Sequence, residues 1–405
     1  MRGYVARAVI FLPLAISGPL GLDICLPGVP QMSRELGSLT GLTQWVISGF
    51  ILCWSLSQLF FGPLADRLGT NRIFLCGGFI YSLAAMGVYF VDTIFWLIVL
   101  RLIQGCGAGA MSVSVSASVA LRFHGASLGK VFSLLNGAIG LVPALAPVMG
   151  GVLITHYGWR SSFYFLSFFV LACVALCLWK PLSTANDIRE KSTDFSLSIS
   201  DVFSRYRTVL LNDEFRLGCF SASCGFATQL IFFSSSPIVL IESFNIPVDR
   251  FGYYFSVNAI AITFGSLLTA RLLGRTKEIV LLYWGTGLLF MAMTGFIITV
   301  HFFEKSVWLY MLSATVGSLG FSVLISTGAA VALPPFKSLA GQACALMTAL
   351  QMAFSSLVAA AVMTYWCNDW FSMISAYFIL STGLLVKLQH YQISYRHKRK
   401  FDMET

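Results

Sequence analysis

The sequence predicts an all-α, polytopic membrane protein with twelve transmembrane helices in two pseudo-symmetric six-helix bundles. Three observations lead to this class: an apolar composition, the recurrence of apolar segments of bilayer length, and one long polar stretch near the middle of the chain. Of the 405 residues, 57% are hydrophobic and only 11% are charged, whereas soluble domains carry about 25% charged residues. With a mean hydropathy of +0.80, the composition excludes an ordinary soluble domain.

A helix needs about 20 apolar residues to cross the hydrocarbon core of a bilayer. The chain offers twelve such segments, at 6–28, 43–65, 73–92, 94–117, 129–153, 159–180, 215–240, 250–270, 279–300, 306–333, 338–364 and 368–389. The first follows Arg2 and Arg7, as in a signal peptide, but it runs to Pro27 without a small-residue cleavage site. We interpret it as a retained first span.

Basic residues are distributed unevenly between the two sets of loops that these spans define. Of the 26 Lys and Arg, only Arg34, Arg160, Arg250 and Lys305 fall on one side, and Arg101 lies within a span. Because cytoplasmic loops are enriched in Lys and Arg, we predict a protein of the inner (cytoplasmic) membrane with both termini in the cytoplasm. The net charge of +9 then reflects topology, and we expect no nucleic-acid partner.

The long polar stretch from Pro181 to Glu214 divides the chain into two halves of about six spans each. The predicted organisation is an N-terminal bundle (1–180), a cytoplasmic linker (181–214), a C-terminal bundle (215–389) and a basic cytoplasmic tail (390–405). The two bundles are expected to meet at a central cavity, as in transporters built from repeats. A weak echo of residues 62–72 at Gly265–Thr276 supports a duplication, although topology alone can account for the arginines of that second segment.

A charged turn, Gly62 to Arg72, separates the second and third spans and reads GPLADRLGTNR. An Asp and two Arg are costly in hydrocarbon, so this turn is expected in water or among headgroups. It resembles the loop between the second and third helices of the major facilitator superfamily, G-x-L-(S/A)-D-R-x-G-R-(K/R). The matching positions are Gly62, Leu64, Ala65, Asp66, Arg67 and Gly69.

Two positions of this turn depart from the family pattern, because Thr70 and Asn71 stand where basic residues are usual, and Arg72 replaces them in part. The resemblance implies a gating role in which Asp66 pairs with an Arg or a helix N-terminus and releases it as the cavity changes side.

Asp23 is the first candidate for chemistry. It lies about 26 Å along the first helix, in the outer half of the membrane, where a carboxylate is costly unless it faces a cavity, finds a partner or is protonated. Nearby Pro and Gly residues predict a helix that is loosened around it. The competing interpretation is an interfacial Asp at a fraying helix end.

Arg101 is the second candidate, roughly 10 Å below the outer end of the fourth span and thus at a depth similar to that of Asp23. The two side chains are therefore expected to face each other across the N-terminal bundle. The segment RLIQGCGAG, with Arg101, Gln104 and Gly105, resembles the fourth-helix motif R-x-x-Q-G-x-G-x-(G/A) of the same superfamily. Helix packing explains the glycines equally well, but it does not explain Arg101.

The fifth span carries Pro143, Pro147, Gly150 and Gly151. Its P-x-x-G-G end resembles a fifth-helix motif of antiporters, although Val142 and Ser133 stand where that motif has glycines. Pro and paired Gly bend helices and permit close approach, so we predict a conformational role for these four residues.

Three further segments, LDICLPGVP, LVPALAPVMGGVL followed by GWRSSFYFL, and LPPFKSLAGQACALMTALQ, resemble the bicyclomycin-resistance (Bcr/CflA) branch of twelve-helix drug:proton antiporters. The resemblance implies proton-driven export of small organic molecules, with Asp23 as the proton-coupling carboxylate and Arg101 as its electrostatic partner.

An exporter of a specific metabolite or siderophore remains an alternative, because of the departure at Thr70 and Asn71. The sequence contains no P-loop or HExxH motif, so we expect no enzymatic activity, cofactor or metal. The two-half organisation argues against a receptor. The expected partners are a small-molecule substrate, protons and the lipid bilayer, and the protein is expected to be a monomer.

Overall fold

The computed structural model describes residues 10–123, 125–182, 199–301, 306–365 and 370–404. Within these ranges the chain is helical, with one isolated β-bridge between Leu273 and Thr276. The prediction of an all-α membrane protein is confirmed.

The α-helices are numbered here in chain order, leaving aside a helical turn at Thr40–Thr43. They are α1 (Phe11–Asp23), α2 (Val29–Glu35), α3 (Trp45–Leu68), α4 (Thr70–Gly87), α5 (Ile94–Arg122), α6 (Gly125–Tyr157), α7 (Arg160–Trp179), α8 (Ile199–Leu210), α9 (Asp213–Pro237), α10 (Val248–Leu272), α11 (Glu278–His301), α12 (Val307–Ala332), α13 (Ala340–Tyr365) and α14 (Trp370–Glu404). Short 3-10 helices occupy Leu26–Gly28, Val88–Phe90 and Pro334–Leu339, and a π-helix occupies Ile238–Ser243.

Within the described ranges, 11 helical segments are long and apolar enough to cross a membrane. They correspond to the first eleven predicted spans. The predicted twelfth span, 368–389, falls largely in α14, which continues as helix into the predicted tail. The count of twelve therefore stays a prediction.

The first span is broken into helical pieces. Helix α1 ends at Asp23, a 3-10 turn spans Leu26–Gly28, and α2 completes the span. The break agrees with the prediction of a loosened helix, because Pro27 and Pro30 lack the N–H that an α-helix requires. Asp23 is thus the last residue of a regular helix.

The charged segment Gly62–Arg72 differs from the predicted turn. Helix α3 continues to Leu68 and α4 starts at Thr70, so that only Gly69 separates them. Gly69 has φ +91°, a conformation that residues other than glycine rarely adopt. Arg67 in the last turn of α3 also favours continuation of the helix, because a cation is stabilised near a helix C-terminus.

Contacts between residues group the chain into two compact units. The first contains Met1–Ser198 together with Ser236–Ala259, and the second contains Ile199–Ser235 together with Ile260–Thr405. In the first unit, α3 packs closely on α5: a methyl group added at Gly105 would lie 2.3 Å from the carbonyl oxygen of Phe50. The predicted domain boundaries remain predictions.

Candidate functional site

Asp23 is buried inside the first unit, with only 1% of its surface exposed, and its Oδ1 atom has no hydrogen-bond partner. The chain directly after it is held by α6, since a methyl group added at Gly150 would lie 2.1 Å from the carbonyl oxygen of Ile24. An unpaired charge is costly in such a place. The interpretation of Asp23 as an interfacial residue at a fraying end does not fit this burial.

Arg101 is completely buried in α5 and binds backbone oxygens of two neighbouring helices. Its Nε donates to the carbonyl of Val46 (2.8 Å), and its Nη1 donates to the carbonyl of Gly21 (3.1 Å). Nη1 also donates to Oε1 of Gln104 at 2.8 Å, one helical turn further along α5. The fork of the guanidinium group therefore joins three helices.

Aromatic rings complete the surroundings of Arg101. The guanidinium carbon lies 4.1 Å from the ring centre of Phe50 and 5.6 Å from that of Phe163. A cation over an aromatic face is attracted by the electrons of the ring, and more strongly so where water is excluded. These contacts help to offset the cost of burying the charge.

The structure brings Arg101 and Gln104 together but does not pair Arg101 with the Asp23 carboxylate. No ion pair joins these two described residues; Arg101 instead binds Gly21, two positions earlier in α1. Residues two positions apart on an α-helix project about 200° apart. The sequence predicted only that Asp23 and Arg101 lie at a similar depth in the membrane. Depth does not determine the direction in which Asp23 projects from α1, which explains why the expected contact between the two side chains is not observed.

Tyr81 of α4 is a residue of the site that the sequence did not single out. This side chain is completely buried, and its hydroxyl lies beside the amide of Gln104 without a well-aligned hydrogen bond. The hydroxyl also rests on α1, because a methyl group added at Gly21 would lie 2.0 Å from Tyr81 Oη. Nothing in the sequence distinguishes Tyr81 from the other tyrosines of this aromatic chain.

A second group that the sequence did not single out lies at the end of α2. The Glu35 carboxylate accepts hydrogen bonds from Nε1 of Trp159 (2.7 Å), from Nε2 of Gln31 (2.7 Å) and from Nη1 of Arg160 (3.1 Å). Arg160 Nη2 also donates to the carbonyl of Val91 at 2.9 Å. These bonds tie the end of the broken first span to the start of α7. The segment GWRSSFYFL contains both the Trp and the Arg, but it carries no sign of their shared partner.

In the segment Gly62–Arg72, Gly62 lies within α3, Gly69 makes the turn, and Arg67 and Arg72 are exposed. The backbone of Asp66 is helical, and its side chain lies outside the described part of the structure. Its predicted pairing stays a prediction.

The two departures from the family pattern both make hydrogen bonds. Thr70 accepts one from the hydroxyl of Ser118 at 2.7 Å. Asn71 Oδ1 accepts one from Sγ of Cys177 (2.8 Å) and one from the backbone N–H of Leu182 (3.1 Å). Here polar uncharged side chains join α4 to α5 and to the end of α7.

Helix α6 runs without interruption through Pro143 and Pro147. Its paired glycines permit close contacts with two other parts of the first unit. Gly150 meets the chain after Asp23, and a methyl group added at Gly151 would lie 2.6 Å from the carbonyl oxygen of Val248 in α10. The residues of the P-x-x-G-G end therefore lie in a tightly packed region.

The contact between α10 and α6 continues one turn further along both helices. A methyl group added at Gly252 would lie 2.4 Å from the backbone nitrogen and Cα of Val148. The hydroxyl of Ser256 donates to the carbonyl of Ala144 at 2.7 Å. Because Gly252 has no side chain, α10 lies directly against the backbone of α6, and the hydrogen bond from Ser256 stabilises this contact.

Among the residues that the structure describes, no group of three His, Cys, Asp or Glu side chains is arranged to hold a metal ion. The buried polar side chains of the site are those of Asp23, Tyr81, Arg101 and Gln104. The carboxyl group of Asp23 can take up or release a proton, and the other three side chains can donate hydrogen bonds.

A helical membrane protein with a buried acid in its first span and a buried arginine in its fourth invites comparison with transporters. The model of the Major Facilitator Superfamily matches residues 11–363, and the chain belongs to this superfamily. This confirms the resemblance noted from the sequence.

The chain is similar to several resistance proteins. It is 27% identical to the chloramphenicol resistance protein of Pseudomonas aeruginosa, over 83% of this chain and 78% of the relative. It is 24% identical to the bicyclomycin resistance protein homolog of Haemophilus influenzae (86% of each chain) and 26% identical to multidrug resistance protein D of Escherichia coli (85% of each).

Solved structures show the same fold at lower identity. A POT family transporter in complex with 5-aminolevulinic acid superposes with a TM-score of 0.75 at 12% identity, covering 96% of both chains. The inward-open xylose transporter XylE of E. coli superposes with a TM-score of 0.72 at 14% identity, covering 95% of both.

Proposed function

We propose that this protein is a proton-coupled secondary transporter that exports small, amphipathic or cationic organic molecules by alternating access. The observation that carries the proposal is Asp23, a carboxyl group buried in the first span with an unpartnered oxygen. Intramembrane carboxyl groups in transporters are typical of proton relays and ion pathways. The names of the chloramphenicol, bicyclomycin and multidrug resistance relatives support drugs as substrates.

In the proposed mechanism, Asp23 holds either a proton or a positively charged part of the substrate. Two positive charges on one carboxylate repel each other, so the binding of one favours release of the other. Arg101 supplies hydrogen-bond donors next to the same helix, and Gln104 orients Arg101 by accepting one of them. Export of a substrate is thereby linked to entry of protons.

Two further groups are proposed to act in the conformational change. The first group lies at the junction of α3 and α4, where Gly69 allows a change of direction. It consists of Gly62, Asp66, Arg67, Gly69 and Arg72.

At α6, the close contact with α10 supports a second conformational role. Closely packed interfaces switch between discrete arrangements rather than deform continuously. The residues proposed for this role are Pro143, Pro147, Gly150 and Gly151.

The proposal includes an inner-membrane location, cytoplasmic termini and a monomeric carrier without a cofactor. It retains the predicted bundles 1–180 and 215–389, the linker 181–214 and the tail 390–405. The uneven distribution of Lys and Arg supports this orientation.

A transport assay in proteoliposomes tests the function directly. Chloramphenicol, bicyclomycin and the cationic dye ethidium would be offered under an imposed pH gradient. We expect gradient-driven transport of at least one compound by the wild type and by Asp213→Asn, a control at an acid with 79% of its side-chain surface exposed. Asp23→Asn and Arg101→Ala should abolish it.

Other results would contradict parts of the proposal. If none of these compounds were transported, and a metabolite or siderophore offered in the same assay were, the specific exporter would be favoured. Full gradient-driven export by both site variants would refute the site, and transport that ignores the gradient would refute proton coupling.

A further inference from the structure

Four polar atoms of the first unit are fully buried and lack hydrogen-bond partners within a short stretch of α1, α4 and α5. They are Asp23 Oδ1, Tyr81 Oη, Arg101 Nη2 and Gln104 Nε2. Leaving a buried polar atom unpaired costs about 1–3 kcal/mol, and more for a charged group. Four unpaired buried polar atoms in neighbouring helices require a physical explanation.

The chemistry of these atoms is complementary. Arg101 Nη2 and Gln104 Nε2 can only donate, a tyrosine hydroxyl can donate, and a carboxylate oxygen only accepts. Because the Gln104 amide lies beside the Tyr81 hydroxyl oxygen, Gln104 Nε2 has an acceptor within reach, whereas Arg101 Nη2 and the hydroxyl proton of Tyr81 lack one. These two donors lie beside the helix that carries Asp23, an acceptor without a donor.

Arg101 and Tyr81 both contact Gly21. Arg101 holds the carbonyl of Gly21 at 3.1 Å, and the Tyr81 hydroxyl rests against its Cα. Asp23 follows two residues later, about 3 Å along the helix axis. What separates the acid from the donors is mainly its direction around the helix.

The local structure permits a change of that direction. Asp23 is the last residue of α1, and the chain continues through a turn and a 3-10 helix at Leu26–Gly28. The N–H of Ile24 still bonds the carbonyl of Leu20, but the chain then passes into the 3-10 turn. The end of α1 can therefore rewind at a smaller cost than the middle of a helix.

We propose that Tyr81 is a positioning residue that acts with Arg101: in the alternative arrangement of the first span, the Tyr81 hydroxyl and Arg101 Nη2 both donate hydrogen bonds to the Asp23 carboxylate. Tyr81 is the donor of choice because it already touches α1, whereas Gln104 is held by Arg101 through its other amide atom. The inference rests on the proposed function and adds to it a residue that neither the sequence motifs nor the relatives indicate.

The test uses a double-mutant cycle measured by exchange of the compound that the wild type transports in the panel, without a pH gradient. Tyr81→Phe removes only the hydroxyl and keeps the ring, which packs edge-on against Phe50 at 6.4 Å. We expect a loss of about tenfold in exchange rate, as for one hydrogen bond to a charged group. Tyr310→Phe, at an equally buried tyrosine of the second unit, is the control and should keep the rate.

The double-mutant cycle distinguishes a positioning role of the Tyr81 hydroxyl from a role in packing. If Tyr81 serves the carboxylate, Asp23→Asn combined with Tyr81→Phe should be no slower than Asp23→Asn alone. Losses that multiply in the double variant, or a wild-type rate in Tyr81→Phe, would overturn the proposal.

An infrared measurement on the solubilised protein needs no substrate. Because the solubilised carrier interconverts between the two arrangements, the carboxyl band that Asp23→Asn removes should contain a component from the alternative arrangement. That component should move in Tyr81→Phe and stay in place in Tyr310→Phe. A band that does not move overturns the role of Tyr81 whatever the transport assay shows. A moving band together with no transport by the wild type would count against the proposed function and not against Tyr81.

Discussion

At the scale of single residues, Arg101 organises the site by joining α5 to the backbones of α1 and α3. Its three hydrogen bonds reach Val46, Gly21 and Gln104 in different directions. A planar guanidinium group can satisfy this geometry, whereas an ammonium group is a point donor on a flexible stem. The side chain therefore supports the fold of the first unit as well as its chemistry.

Arg101→Lys should lower the stability of the protein. The variant keeps the charge but loses at least one buried hydrogen bond, at a cost of about 2 kcal/mol. Thermal unfolding in detergent measures the effect, with Arg207→Lys at an exposed position of α8 as the control. An unchanged midpoint in Arg101→Lys would show that the bonds to Val46 and Gly21 do not stabilise the protein.

The contact between Gly21 and Tyr81 gives a second prediction. Gly21→Ala should destabilise the protein, because the methyl group would lie 2.0 Å from Tyr81 Oη. Adding Tyr81→Phe should restore much of the stability, since the next nearest atom, Tyr81 Cζ, is 3.1 Å away. If the double variant unfolds at the same temperature as Gly21→Ala, another contact limits the space.

These residues also show which parts of the site can be predicted from the sequence. Arg101 and Gln104 are one helical turn apart in the sequence, and they contact each other on one face of α5. The expected ion pair with Asp23 was inferred from membrane depth, and depth does not determine rotation about the helix axis. That rotation is set by packing at Gly21 and Tyr81, which belong to helices distant in sequence.

At the scale of elements, glycines set how closely α6 approaches the first span. A methyl group at Gly150 would meet a backbone oxygen at 2.1 Å, whereas one at Gly137 of the same helix meets nothing within 4 Å. Gly150→Ala should therefore reduce both stability and transport. Gly137→Ala should be neutral or stabilising by up to about 1 kcal/mol, because Ala favours helix. Equal behaviour of the two variants in thermal unfolding would show that the contact at Gly150 does not limit the packing.

At the junction of α3 and α4, Asn71 departs from the family pattern and makes hydrogen bonds that a basic residue could not make. Asn71→Lys restores a basic residue but loses the acceptor for Cys177 and Leu182. We expect the buried thiol of Cys177 to react faster with a maleimide, in a background where every other cysteine is replaced by Ala.

Asn71→Asp is the matched control for that labelling experiment. It keeps an acceptor oxygen and should leave the reaction of Cys177 slow. Equally slow labelling in Asn71→Lys would show that the end of α7 is held by other contacts. The sequence identified the departure at Asn71, but it contained no sign of the partners.

At the scale of the whole molecule, hydropathy alone predicted the class of protein, because the bilayer requires long apolar helices with internally satisfied backbones. It predicted less well where helices end: the charged segment at residues 62–72 is helical on both sides of Gly69. Charge does not end a helix, whereas a residue with positive φ does.

Topology is open to a direct test. Two cytoplasmic termini require an even number of spans, and 11 candidates lie within the described ranges. A fluorescent protein fused to either terminus should fluoresce, and alkaline phosphatase fused there should be inactive. Active phosphatase at the C-terminus alone would require an odd number and would remove the span predicted at 368–389.

The central claim is that one buried carboxyl group exchanges a proton for substrate. The most direct measurement is proton release when the transported compound is added to the solubilised protein in weak buffer. We predict release by the wild type and by the control Asp213→Asn, and none by Asp23→Asn. Proton release by Asp23→Asn equal to that of the wild type would contradict the claim.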